Sequence, residues 1–217
     1  MASGIGRRRA AALADSSASY TERRREIRDA AARVFRAKGY GGTSLGDIAE
    51  ALGTDRASLY YYVASKEDLF QDVVRDAAEA NVRRAEEIRD LDDAAPHKLE
   101  LLIASVMASY AEYYPYLFVY IQEELNRLGD GKSGWAREMR KINRRFDDAV
   151  IGIVQSGMDD GSLRAVSPAR VVAYGIIGML NWTHRWYRDK DGTLPDAGAI
   201  GAAFADTLVN GLRNDPA

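Results

Sequence analysis

The chain has 217 residues, 47% of them apolar and 29% charged, the balance of a folded globular protein rather than a disordered or fibrous one. It has no cysteine, which removes disulfides, thiolate metal sites and cysteine nucleophiles, and only two histidines, His97 and His184, which leaves little for imidazole chemistry. The net charge of −2 hides an asymmetry: residues 1–66 carry 12 Lys/Arg against 7 Asp/Glu, a net of +5, and the remainder 18 against 25, a net of −7. A basic front before an acidic rear points to a polyanion met by the front alone.

Residues 1–19 are small, polar and without period, and read as a disordered arm. Arg7, Arg8 and Arg9 within it suit either a minor-groove arm or a solvated tail. Next, Ile27, Ala30, Ala31, Val34 and Phe35 recur at helical spacing, with Thr21 as a cap and Gly39 as the stop. A second, short helix follows Thr43, with Leu45, Ile48, Ala49 and Leu52 on one face and Gly53 at its end. A third starts near Asp55, which suits an N-cap, and ends near Tyr62. Ser65 to Asp68 form a further capping signal, opening a long helix from Lys66 to about Arg89. Beyond it the pattern predicts helices over 96–114, 115–128, 135–157, 168–188 and 195–212, with prolines at four starts and glycine-rich joints between. No strand-period segment stands out. The expected fold is all-α with about nine helices. Residues 20–66 form one domain and residues 67–217 a second.

Two short helices joined by Gly53-Thr54 make a helix-turn-helix, whose second helix enters the major groove of DNA. Three adjacent tyrosines, Tyr60, Tyr61 and Tyr62, point in three directions on a helix, so at least one faces away from the core. Leu59, with part of Tyr60, is expected to pack back toward Phe35 and Ile48. The outward phenols can donate to phosphates and fix register. Arg56, Ala57 and Ser58 stand at the helix start, where side chains reach base edges, and Arg56 suits bidentate contact with a guanine. Thr43 and Lys66 open the flanking helices and can hold the backbone.

Three stretches in residues 27–70 resemble the N-terminal domain of the TetR-like repressors: the A-A-x-x-V-F-x-x-K-G-Y read from Ala30, T-S-L-G-D-I-A-E-A-L-G from Thr43, and L-Y-Y-Y-V-x-S-K-E-D-L from Leu59. The resemblance implies a homodimer whose recognition helices occupy successive major grooves of a near-palindromic operator. It assigns DNA contacts to Thr43, Arg56, Ala57, Ser58, Tyr60, Tyr61, Tyr62 and Lys66. The chain departs at Tyr62, where many relatives have histidine, and at Asp55, where serine or threonine is common. A carboxylate there would repel phosphate, so Asp55 is expected to cap rather than contact.

Two apparent motifs lead nowhere. Gly42-Thr43-Ser44-Leu45-Gly46 matches a nucleophile elbow but follows a helix instead of a strand. Gly129-Asp130-Gly131-Lys132-Ser133 resembles the end of a P-loop, but Asn126 stands where the first glycine belongs. His184 has no partner at motif spacing for acid–base work, so the chain is not expected to be an enzyme.

In the rear half the resemblance implies an effector chamber and a dimer face. Gly175, Gly178, Gly201, Ala202, Ala203 and Ala205 suit close helix contact across a two-fold, the alternative being packing within one chain. Tyr113, Tyr116 and Tyr120 lie near Pro115 and suit either an apolar ligand or plain core. Trp182 and Trp186 are four apart and are expected on one face. Arg137, Arg140, Lys141 and Arg144, with Arg145, form a basic stripe that fits phosphates. The alternative is a solvated face paired with Glu138, Asp147 and Asp148.

The W-T-H-R-W-Y segment from Trp182, including Arg185, is similar to the acyl-CoA-responsive branch of these repressors, which regulates fatty-acid and steroid-ring breakdown. That similarity implies an acyl-CoA effector, with its chain among the aromatics and its phosphates on the stripe. The competing expectation is a multidrug-type repressor that meets lipophilic cations through Glu123 or Glu124. No cofactor is expected beyond the effector. The longest apolar run, 171–182, is about half the ~20 residues a bilayer span needs, and a cytoplasmic protein is expected.

Overall fold

Helix follows helix throughout the computed structural model, which describes residues 18–113, 134–183, 186–187 and 195–213. Among these are eight helices: α1 (Ala18–Gly42), α2 (Leu45–Ala51), α3 (Arg56–Tyr62), α4 (Lys66–Arg89), α5 (Ala95–Tyr113), α6 (Gly134–Asp159), α7 (Ala169–Trp182) and α8 (Ala197–Leu212). The expected helix over 115–128 lies outside the described residues, as do Arg7 to Arg9. The only strand-like pairing among the described residues is a single antiparallel bridge between Leu163 and Arg213. No helix among them is long and apolar enough to cross a membrane.

The chain divides into two compact units, Met1–Asp76 and Ala77–Ala217. In the first, α1 begins before Thr21, which therefore sits inside the helix and does not cap it. The regular helix breaks at Gly39, whose φ of 73° and ψ of 162° a side chain would resist. Ser44, not Thr43, caps α2: its hydroxyl accepts from the Asp47 amide while Asp47 accepts from the Ser44 amide, a reciprocal capping box. The core of this unit is Ile27, Val34, Phe35, Ile48, Leu59, Leu69 and Phe70, all buried. They are the apolar stripes of four short segments, none of which could bury its face alone.

In the second unit α5 packs along α8 and α6 along α7, with α5 also against α6 and α7. Leu99, Leu102, Ile103, Met107, Val150, Ile153, Ile176 and Ile200 form its buried centre. Two glycines stand at close approaches between helices. A Cβ on Gly157 would meet the Ala95 Cβ at 2.5 Å and Leu163 Cδ1 at 2.6 Å, and one on Gly201 would meet the Met107 Cβ at 3.3 Å. Gly201 thus serves contact between α5 and α8, not an outer face.

Candidate nucleic-acid interface and effector half

The turn between α2 and α3 closes by two hydrogen bonds, from Gly53 N to Glu50 O at 3.0 Å and from Thr54 N to Ala49 O at 3.0 Å. With Gly53 at a φ of 63° this is a Schellman stop, which consumes the orphan carbonyls of α2 and turns the chain sharply. Asp55 then caps α3, accepting from the Ser58 amide at 2.8 Å and from its hydroxyl at 2.7 Å. Those bonds hold the Asp55 carboxyl below the usual aspartate range. Leu59 is fully buried and anchors the helix, while Arg56, Ala57 and Ser58 are exposed at its start.

The three tyrosines are all half-buried, and each has a different task. The Tyr60 hydroxyl accepts from Arg56 at 3.0 Å, with the guanidinium 5.5 Å from its ring centroid. Tyr61 meets Tyr62 edge-on at 5.1 Å, and Tyr62 lies 5.2 Å from Tyr20 of α1. The place beside Phe35 is taken by Phe70 and Tyr40, at 5.7 Å each. No local period in the sequence marks Tyr20, because its contact with Tyr62 joins residues 42 apart in the chain.

Thr43 and Lys66, also assigned to DNA, are engaged within the unit. Thr43 is buried and its hydroxyl donates to Gly39 O at 2.7 Å. Lys66 Nζ donates to Tyr40 O and Thr43 O at 2.9 Å each and lies 4.4 Å from the centre of the Tyr40 ring. It thus stitches the start of α4 to the loop between α1 and α2, with one of its three donors left over. A second tie is Asp72 of α4, buried between Arg24 of α1 and Arg75, the latter at 2.8 Å. Arg28 reaches Asp76 at 2.9 Å beside it.

In the rear unit Tyr113 is half-buried against the core, whereas Tyr116, Tyr120 and Arg185 lie outside the described residues. Trp182 and Trp186 do not share a helical face. The helix α7 ends at Trp182, which is 59% exposed, and the next turn carries Trp186 inward, edge-on to Phe204 at 6.2 Å. Tyr110 is buried and its hydroxyl donates to Asn181 Oδ1 at 3.2 Å, joining α5 to α7, and burial raises its pKa.

Arg137, Arg140, Lys141 and Arg144 are exposed along one face of α6, opposite the buried Met139, Ile142 and Val150. Arg145 departs from the stripe. It forks onto Glu86 of α4, at 2.7 and 3.0 Å, and reaches Glu79 at 3.0 Å, and it holds the Glu86 carboxyl below its usual range. Its partners are thus on α4, not the Asp147 and Asp148 of its own helix. Val171, Tyr174 and Trp182 are exposed along α7, and Gly175 and Gly178 between them face open space.

Residues 27–73 match the family profile described as bacterial regulatory proteins, tetR family, and residues 92–212 that of the tetracyclin repressor-like C-terminal domain. The chain is 30% identical over 201 residues to the HTH-type transcriptional repressor KstR2 of Mycolicibacterium smegmatis, covering 91% of this chain and 94% of that protein. Among solved structures it is similar to the regulator FadR from Bacillus subtilis in complex with stearoyl-CoA, with a TM-score of 0.67 and 22% identity over 86% of this chain and 97% of that one. It is also similar to AibR in complex with isovaleryl coenzyme A and operator DNA, with a TM-score of 0.66 and 22% identity over 88% and 98%.

Proposed function

The chain belongs to the TetR family of bacterial regulatory proteins, and from that premise we propose that it is a cytoplasmic homodimeric repressor, released from its operator by an acyl-CoA-type effector. Residues 20–66 read the DNA, and residues 67–217 bind the effector and the second copy. The observation that carries the DNA reading is the start of α3: Arg56, Ala57 and Ser58 exposed in a row on a helix fixed by Leu59 below and Asp55 at its cap. A major groove about 12 Å wide accepts one such helix. Phosphate contacts from the tyrosines then set its register.

The effector reading rests on the exposed basic face of α6 and on the thioesters held by the neighbours FadR and AibR. Arginine forks suit the phosphates of coenzyme A. Tyr113 and Trp186 supply apolar lining, and Tyr116, Tyr120, Trp182 and Arg185 are assigned to the same ligand. An effector weakens operator binding only by favouring a conformation that fits DNA less well. The fork of Arg145 on Glu79 and Glu86 couples the stripe-bearing helix to α4, which is continuous from Lys66 onward. Displacing α4 changes the separation of the two recognition helices, which must be about 34–36 Å for adjacent half-sites.

Thermal melts with short, medium and long acyl-CoAs, steroid-CoA thioesters, free CoA, fatty acids and lipophilic cations test this directly. A ligand at 100 times its Kd adds ~2.7 kcal/mol to stability. Stabilisation by thioesters, and release of labelled operator by the same compounds, is the expected result. Stabilisation by lipophilic cations alone would replace the acyl-CoA reading with the multidrug one and leave the repressor intact.

A further inference from the structure

Several exposed arginines on the helices of this protein pair with a carboxylate one turn away: Arg23 with Glu26 at 2.6 Å, Arg25 with Glu22 at 2.6 Å and Arg84 with Glu87 at 3.3 Å. Arg56, the first residue of α3, has a neutral partner instead. One turn on, the Tyr60 hydroxyl accepts from Arg56 Nη2 at 3.0 Å, and the guanidinium carbon lies 5.5 Å from the centre of the Tyr60 ring, within cation–π range. The neighbouring carboxylate, Asp55, is spent on the Ser58 amide and hydroxyl.

The two kinds of partner differ in their consequences beside DNA. A carboxylate would hold the guanidinium still but offset its charge and repel phosphate. A phenol holds it and leaves the charge whole. It takes one of the five N–H donors of an arginine, and a fork onto guanine O6 and N7 needs two. A free arginine gives up much side-chain freedom when it docks, and one already held gives up less. The phenol is not exhausted either. Its oxygen accepts from Arg56 and its proton remains to give, and a phenol that donates to an anion becomes a better acceptor.

We propose that Tyr60 is a positioning residue for base reading: it holds the Arg56 guanidinium in the orientation that meets a guanine edge, while its own hydroxyl proton goes to a phosphate. One side chain then ties the register of α3 on the backbone to the reading of one base. The inference rests on the repressor reading above and adds to it a residue that sets specificity without touching a base. A phosphate contact alone carries no sequence information, so the two roles separate by experiment.

Full-length native protein selects duplexes from a randomised pool, and the base read by Arg56 is the position whose guanine preference Arg56→Ala flattens by about tenfold or more. The four duplexes that differ only there are then titrated with native protein, with Tyr60→Phe and with the double variant. Tyr60→Phe keeps the ring and loses the hydroxyl. It is expected to lower the guanine preference about threefold to fivefold, the worth of one neutral hydrogen bond, with preferences at other positions kept. The double variant is expected to show the same preference as Arg56→Ala alone. A preference is a ratio of affinities from one preparation, so a partly unfolded fraction cancels. An equal loss of affinity on all four duplexes would leave Tyr60 a phosphate contact only and overturn the positioning role, as would an unchanged preference. If Arg56→Ala keeps every preference of native protein, Arg56 reads no base, and the inference falls while the repressor reading stands. If native protein selects no sequence, the repressor reading itself falls, and this inference with it.

Discussion

Asp55 and Ser58 are bonded twice, through the amide of Ser58 at 2.8 Å and through its hydroxyl at 2.7 Å. The hydroxyl proton is therefore spent on Asp55. What Ser58 can still offer a base is an acceptor. In the major groove the donors are the exocyclic amines of adenine and cytosine. The base facing Ser58 is expected to be one of these, and Ser58→Ala should flatten the preference there. Binding of operators carrying each of the four bases at that position checks it, and a preference for guanine or thymine would count against the idea.

The caps also set an acid limit. Hydrogen bonds from Ser58 lower the pKa of Asp55, and those from Lys38 and Ser44 lower that of Asp47, each from an ordinary value of 3.8. A depressed carboxyl stabilises the fold fully above its unfolded pKa and loses that contribution as pH falls through the lower folded value. Stability of the DNA-reading unit should therefore be flat with respect to these groups above about pH 5 and decline below about pH 4. In Asp55→Asn, which keeps an acceptor at the cap, the decline should be shallower. Melts followed by circular dichroism between pH 7 and pH 3 measure this.

Lys66 separates two roles that the family assignment leaves merged. A lysine that neutralises a phosphate adds about one unit to the slope of log affinity against log salt. One that bonds two carbonyls adds to stability. With both Tyr40 O and Thr43 O at 2.9 Å, Lys66→Met is expected to destabilise the first unit by about 2 kcal/mol and to lower the salt slope by well under one. A full-unit change in slope at unaltered melting temperature would return Lys66 to the phosphate.

Gly157 tests the packing of the second unit. A methyl there overlaps Ala95 and Leu163, and the Ala95 Cβ is fixed to backbone. Gly157→Ala should cost about 1–3 kcal/mol by overpacking. Gly178→Ala meets nothing and should leave the monomer's fold intact. Urea unfolding of both variants gives the comparison.

We expect the outer face of α7 to form the dimer contact. Val171 and Tyr174 are 57% and 48% exposed in the single chain. Apolar surface of this kind on one helix favours a self-complementary two-fold contact. Val171→Glu with Tyr174→Glu should give a folded monomer by sedimentation velocity and abolish high-affinity operator binding. A variant that remains dimeric would move the interface elsewhere.

The sequence by itself determined the all-α class, most of the described helices, the Asp55 and Ser65 caps and the helix-turn-helix. Those depend on neighbours within a few residues: Gly53 at positive φ, Asp55 and Ser65 ahead of helix starts, apolar positions three and four apart. It also fixed which residues open α3, since nothing but chain order places Arg56, Ala57 and Ser58 there. Contacts between segments distant in sequence were decided by the tertiary structure alone. Tyr20 against Tyr62, Lys66 on two carbonyls, Arg145 across to α4 and the inward turn of Trp186 all depend on how helices pack. A helical period gives the angle of a side chain about its own axis but not which neighbour stands opposite. Least legible of all were the hydroxyls of Ser109 in α5 and of Thr183 at the end of α7, which are buried without a hydrogen-bond partner. Serine and threonine bond locally wherever they can, and only the packed interior shows where they have not.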